Sequence, residues 1–220
     1  MEGIDIPRVD FTQHGLPGYL VVVDGSDGTG KTTLLANLES ALESEGHRVV
    51  RTRQPTTEAR ESAAFKDYLF EPESRDGIDY RALLCLMIGD RLQHQFRTIR
   101  PALLRGETVL CDRYIFTQMV TTVTRGHSDE DWMLQLYPHV FAPDVAVITD
   151  APADLVVSRI AARVDARESF YERDHVERNL LAYRRVASAY SLDVVDTSVH
   201  DPGSALDLVM AQIPKRARQV

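Results

Sequence analysis

Five short runs rich in β-branched residues recur along the chain, each followed by a stretch with helical spacing of its apolar positions. The runs are Tyr19 to Val23, Arg48 to Arg51, Thr108 to Cys111, Val145 to Thr149 and Leu192 to Val195. Tyr19 to Val23 is apolar throughout, as a buried parallel strand should be. Helical spacing covers Thr33 to Leu42, about Glu58 to Leu69, and about Asp79 to Arg100 with Pro101 near its end. It continues in Ile115 to Thr124, Glu130 to Leu136, about Pro152 to Val164, roughly Tyr171 to Ala189, and a last helix after Pro202. Strands alternating with helices in this way predict an α/β fold, a five-stranded parallel sheet with helices on both faces. Ligands of such sheets sit at the carboxyl ends of the strands, where Arg53, Asp112 and the segment after Thr149 fall.

The first strand runs into Gly25-Ser26-Asp27-Gly28-Thr29-Gly30-Lys31-Thr32, which fits G-x-x-x-x-G-K-[ST]. A strand feeding a glycine-rich turn that opens a helix is the setting this phosphate loop requires. The glycines let backbone N–H groups approach phosphates, and the helix N-terminus favours negative charge. Gly25 through Thr33 are thus the residues predicted to bind a nucleoside triphosphate. Lys31 would reach the β- and γ-phosphates, and the Thr32 hydroxyl would hold Mg²⁺. The chain is expected to be a P-loop protein that binds a nucleoside triphosphate.

Composition narrows the partners. With 220 residues, 44% of them hydrophobic, the chain can bury a full core. One domain is predicted at 18–213, preceded by an arm at 1–17 and followed by a basic tail at 214–220. A net charge of −8 argues against broad nucleic-acid or anionic-membrane binding. Lys31, Lys66 and Lys215 are the only lysines, so nearly all positive charge is arginine, which suits a bidentate grip on phosphate. Cys85 and Cys111 lie in apolar runs and read as buried thiols, not as a disulfide. Their setting, together with a first segment that lacks the apolar core of a signal peptide, suggests the cytoplasm.

Four further groups bear on chemistry. Val109 to Tyr114 is an apolar strand ending in Asp112-Arg113-Tyr114. The acid at the strand tip would orient the waters of Mg²⁺ or form a strand-end salt bridge; Arg113 would point toward an acceptor phosphate. On the long helix, Met87, Arg91 and His94 share a face. An arginine on that face needs an anionic or hydrogen-bonding partner, either a substrate group or an acid from a neighbouring helix. His94 there reads as a packing or surface histidine. Arg51-Thr52-Arg53-Gln54-Pro55 places Arg53 where it could meet an acceptor monophosphate. Finally, Arg159, Arg163, Arg167 and Arg173 flank a break between two helices. They form either a solvated face or a closing flap, a lid at about 161–172, whose arginines stabilise the migrating phosphoryl group.

In this order the residues resemble the thymidylate kinase family of nucleoside monophosphate kinases, over about Tyr19 to Ala211. The resemblance rests on the Asp27-bearing phosphate loop, Thr52-Arg53-x-Pro55, Asp90-Arg91-x-x-His94, Asp112-Arg113-Tyr114, and the lid arginines followed by a helix carrying Tyr183. It implies transfer of the γ-phosphoryl group of ATP to a deoxynucleoside monophosphate, with dTMP the expected acceptor, Mg²⁺ as cofactor and a homodimer formed through helices. Asp27 would position the acceptor, and Arg53, Arg91 and Arg113 would bind it, with Met87, Tyr114 and Thr121 lining its pocket. Thr32 and Asp112 would serve the metal. Thr29 leaves the loop without an arginine, so Arg163 or Arg167 would join Lys31 and Asp27 as catalytic groups. Three departures touch the acceptor side: Met87 replaces an aromatic, Gln54 a glutamate, and Thr121-Thr122 a Tyr-Gln pair. No lysine is followed two residues later by Asp, which excludes a guanine-reading switch protein, and protein kinase signatures are absent. A kinase for another pyrimidine or modified nucleotide or nucleoside, and a non-catalytic ATP-binding regulator, stand as alternatives.

Overall fold

The computed structural model describes residues 6–70, 77–126, 131–162 and 173–214. Its five strands are β1 (Tyr19–Gly25), β2 (Val49–Arg53), β3 (Thr108–Asp112), β4 (Val145–Asp150) and β5 (Asp193–Asp196). They form one all-parallel sheet in the order β2-β3-β1-β4-β5. The chain lays strands on one side of β1 and then crosses to the other, so the switch point of the sheet falls at the carboxyl end of β1. Register brings the functional ends level: Asp112 pairs with Val23 on one side and Arg53 on the other, and Gly25 pairs with Thr149.

β1 is apolar from Leu20 to Val23 because it is buried on both faces. Leu20 and Val22 point, with Val109, Cys111 and Ile148, into a core shared with α4 (Tyr80–His94), α6 (Ile115–Thr124) and α9 (Arg173–Tyr190). Val21 and Val23 point the opposite way, joining Leu110, Val145 and Val147 against α1 (Lys31–Ser44) and α10 (Pro202–Met210). On α1, Leu34, Leu35, Leu38 and Leu42 recur with helical spacing and are all buried, each worth about 1.5–3 kcal/mol. A smaller cluster of Val156, Ile160, Val176 and Leu180 joins α8 (Ala153–Ala161) to α9.

Several predicted boundaries shift. The helix expected from Glu58 to Leu69 is two: α2 (Thr57–Glu61) and α3 (Ala63–Phe70), with Ser62 extended between them. Ser62 Oγ donates to Ala59 O at 2.7 Å and accepts from Phe65 N at 3.4 Å, offering the backbone an alternative to the helix. The long helix passes its predicted end. A π-helical turn at Gln95–Ile99 leads into α5 (Arg100–Leu104), which carries Pro101 in its first turn, where a missing N–H is tolerated. Glu130 to Leu136 reduces to α7 (Asp131–Leu134), with a 3₁₀ turn at Tyr137–His139 beyond it.

Residues 6–17 pack against the domain. Phe11 stacks on Tyr190 with ring centroids 5.4 Å apart, and the Tyr190 hydroxyl donates to Pro7 O at 2.8 Å. Thr12 bridges to Phe141, and Asp144 accepts from both His14 Nε2 and Leu20 N. Of the two cysteines, Cys111 is buried as expected but Cys85 is exposed on α4, because its position falls on the outward side of that helix.

Candidate active site

The phosphate loop closes over the sheet by backbone geometry that only glycine supplies. Gly25 has φ of 141°, and a Cβ there would lie 2.5 Å from Thr149 O; Gly28 has φ of 79°, with Val156 O at 3.0 Å. Thr29 is buried inside the loop, donating to Ser26 O at 2.7 Å and lying 2.7 Å from Thr149 Oγ1. Thr32 and Thr33, at the start of α1, are exposed. Lys31 is buried; its Nζ donates to Ser26 O at 2.6 Å and stands 4.0 Å from Asp27. Burial and the nearby Arg113 charge pull its pKa down to about 8. A polyanion at the loop would reverse that by favouring the ammonium form.

From behind, the loop is braced by Arg159 on α8. Its Nη1 donates to Gly28 O at 3.1 Å and to Thr197 Oγ1 at 2.8 Å, while Thr197 in turn donates to Thr29 O at 3.1 Å. Arg159 therefore fixes the root of the predicted lid to the loop and is no solvated surface residue. Arg163 and Arg167 lie outside the described residues. Arg173 pairs with Asp154 and Glu177 at the surface.

A buried carboxylate missing from the sequence-based site ties the loop to the acceptor side. Asp24 accepts from Gly25 N at 2.8 Å, Tyr114 N at 3.0 Å, Thr117 N at 3.0 Å and Thr117 Oγ1 at 2.6 Å. It thereby caps α6 and fixes the turn that presents Arg113. That residue adopts φ of 64°, a left-handed conformation that costs a side-chain-bearing residue about 1–2 kcal/mol. Arg113 pairs with Asp27 and donates to Gly25 O at 2.9 Å and to the Tyr183 hydroxyl at 3.2 Å. Burial opposes its charge, but Asp27, Tyr183, Asp24 and Asp112 outweigh it and raise the pKa. Asp27 and Arg113, predicted separately, are one ion pair.

Arg91 is fully buried on α4. Nη1 donates to Met87 O at 3.0 Å, Nη2 reaches Tyr114 O only at 3.5 Å, and Nε has no partner. Among the described residues no carboxylate pairs with it, so the acid from a neighbouring helix is not found there. Burial lowers its pKa. Asp90 turns instead to Thr56, accepting from its N at 2.9 Å and from its hydroxyl. His94 is a packing residue: it lies 2.7 Å from Thr52 Oγ1 and 3.1 Å from Gln54 Nε2, and burial lowers its pKa. Met87 is buried beside Arg91. The Tyr114 ring is fully buried, its hydroxyl donating to Phe141 O at 3.1 Å, so it reaches this region through its backbone. Thr121 lies one turn beyond Thr117 and bonds back to its carbonyl at 2.8 Å. Arg53 is exposed at the end of β2. Asp112 makes no salt bridge among the described residues, and its Oδ1 is buried without a hydrogen-bond partner.

Asp24 could have been suspected, since an acid closing an apolar strand must be bonded or paired. Thr117 and Thr197 carried no such signal, because only the tertiary fold brings them to the loop.

A phosphate loop at the switch point of a parallel sheet, with arginines gathered across the same edge, defines a P-loop kinase of the nucleoside monophosphate class. The pattern of the thymidylate kinase family matches residues 23–200. A thymidylate kinase from Xanthomonas oryzae pv. oryzae is 37% identical over 166 residues, 73% of this chain and 68% of the relative. One from Xanthomonas euvesicatoria pv. vesicatoria is 34% identical over 200 residues, 89% of this chain and 81% of the relative. A probable thymidylate kinase from Pyrococcus abyssi is 34% identical over 153 residues, covering 69% and 74%. The chain belongs to the thymidylate kinase family.

Asp24→Ala leaves the N–H groups of Tyr114 and Thr117 without their acceptor. Urea denaturation should show a loss of about 2–4 kcal/mol. Phosphoryl transfer should fall in the fraction that remains folded, because Arg113 loses its support.

Proposed function

We propose that this chain transfers the γ-phosphoryl group of ATP to dTMP, releasing ADP and dTDP. The observation that carries the reading is Arg91, a fully buried guanidinium that no carboxylate among the described residues pairs with, one turn from Met87, in a chain that also holds a complete phosphate loop. A nucleotide acceptor would supply the missing acceptor atoms. A phosphate acceptor already carries its charge and needs arginines, whereas a hydroxyl acceptor needs a base.

In the transfer, an acceptor phosphate oxygen bonds to the γ-phosphorus as the bond to the bridging β–γ oxygen breaks. Gly25 to Thr33 hold the triphosphate through the loop and the first turn of α1. Lys31 leaves Ser26 O for the phosphates and neutralises charge that develops there. Asp27, Arg53 and Arg113 orient the acceptor phosphate, while Arg91, Met87, the Tyr114 backbone and Thr121 surround its base. Arg163 and Arg167 supply lid charge, with Arg159 anchoring the helix that precedes them. Thr32 and Asp112 fit a Mg²⁺ ion, since Thr32 is exposed at the loop and Asp112 Oδ1 is buried with no partner among the described residues. Bound Mg²⁺ would neutralise charge on the β- and γ-phosphates.

The homodimer that the resemblance implies is assigned here to the outward side of α4 and its π-helical extension. Ala82, Cys85, Leu86, Gly89 and Phe96 recur there with helical spacing and are all exposed, Phe96 by 64%. A second copy would bury this stripe. The free thiols suit a reducing compartment, and the cytoplasm is the proposed location. No helix among the described residues is long and apolar enough to cross a membrane.

The reading is tested by transfer from ATP to dTMP, dUMP, dCMP, dGMP and thymidine. Transfer to dTMP is expected and transfer to thymidine is not. Methionine gives the base a flexible contact in place of a stacked ring, a difference of about 0.5–1.5 kcal/mol. Preference for dTMP over dUMP should therefore be modest and should rise in Met87→Phe; strict selectivity unchanged by Met87→Phe would show that Met87 does not set base choice. For the lid, Arg163→Ala or Arg167→Ala should lower kcat far more than it raises KM, while Arg173→Ala, at a surface ion pair, should matter little. For the dimer, sedimentation should give a two-chain mass for the wild type and a one-chain mass for Phe96→Glu.

A further inference from the structure

Arg60 lies on α2, just beyond the carboxyl end of β2 and outside every group the sequence pattern singled out. The position of α2 is fixed at both ends. Thr56 caps it by accepting from Ala59 N, and Asp90 on α4 holds Thr56 by its N–H and its hydroxyl. Arg60 follows Thr56 by one turn, its N–H donating to Thr56 O at 3.1 Å. Its side chain is half-buried, yet the guanidinium makes no hydrogen bond and no ion pair among the described residues.

The groups within electrostatic reach of that guanidinium are Arg53, Arg113, Asp27 and Asp112. These are the acceptor-side groups and the metal-side acid of the proposed reaction. Burial is the largest influence on Arg60 and opposes its charge; the two arginines oppose it further, and Asp27 and Asp112 offset this only in part. Three guanidiniums facing two carboxylates, one of them already paired with Arg113, leave a net positive charge that a further anion would neutralise. Arg113 is already committed to Asp27, Gly25 O and Tyr183, so much of its donor capacity is spent holding the turn. Among the described residues nothing takes up the guanidinium donors of Arg60, so they can serve a ligand.

We propose that Arg60 is a third arginine of the acceptor phosphate site, donating from α2 to the phosphate of the nucleoside monophosphate alongside Arg53. The proposal rests on the phosphoryl transfer proposed above. Held by Asp90 through Thr56, α2 carries this charge on the same helix–loop unit that the acceptor must approach. The contact is made to the phosphate and not to the base, so its contribution depends on the phosphate being present.

The test compares wild type, Arg60→Ala, Arg60→Gln and Arg60→Lys. Steady-state KM is measured for dTMP and for ATP, and dTMP and thymidine are titrated directly. Loss of a charge-assisted contact should raise KM and Kd for dTMP about tenfold or more in Arg60→Ala and Arg60→Gln. KM for ATP and the affinity for thymidine should stay within about twofold of wild type, and Arg60→Lys should recover part of the loss. Arg60→Gln preserves the stem of the side chain and serves if Arg60→Ala does not fold. Unchanged dTMP binding in the folded variants, or an equal loss for dTMP and thymidine, would overturn the role of Arg60. Wild-type protein that transfers nothing to dTMP would instead overturn the proposed function.

Discussion

The Asp24 carboxylate is the interaction on which the functional edge of this molecule depends. It is completely buried at the end of the central strand, and a buried charge is tolerable only when its lone pairs are satisfied. Asp24 meets that demand with four donors from two different segments, Gly25 of the phosphate loop and Tyr114 and Thr117 at the start of α6. The same bonds that stabilise the carboxylate therefore fix the donor loop relative to the turn carrying Arg113. Asp24 also contributes to keeping Arg113 charged, and Arg113 closes the circuit by donating back to Gly25 O.

Around this junction, the described residues hold several cationic side chains that no carboxylate pairs with. Among the described residues Arg91 has no paired acid and the half-buried Arg60 guanidinium has no bonded partner, and burial draws the pKa of Lys31 toward neutrality. Arg113, paired with Asp27, is the exception. Such an arrangement costs stability in the free protein, and binding of phosphorylated ligands at both ends would recover it. Charge placed in this way interacts most with the species carrying the greatest negative charge, and in phosphoryl transfer that charge lies between donor and acceptor.

Much of the fold was legible because β1 and α1 combine a strong local pattern with a motif that demands a strand, a turn and a helix in that order. The sheet order was not, since nothing local says which strands β1 will lie between. Helix bounds were missed where a single side chain competes for the backbone, as at Ser62, or where a π-helical turn carries the helix on past a proline, as at Pro101. At the site, Lys31, Asp27, Arg91 and Arg113 carried recognisable spacing. Asp24 looked like one more strand residue, and Arg60 like one more charge on a short helix. Their importance comes from neighbours distant in sequence, Thr117 for the first and Arg113 for the second. Tyr114 is the opposite case, for its motif position suggested a ligand contact while its ring fills the core and only its backbone faces Arg91.

The most direct measurement of the central claim is transfer of labelled γ-phosphate from ATP to dTMP, followed in wild type and Lys31→Ala, with folding checked by circular dichroism. Lys31 acts mainly on charge that develops during transfer. The account predicts labelled dTDP from the wild type and a loss of several orders of magnitude in a folded Lys31→Ala. Near wild-type transfer by the folded variant, or no labelled dTDP from the wild type, would contradict it.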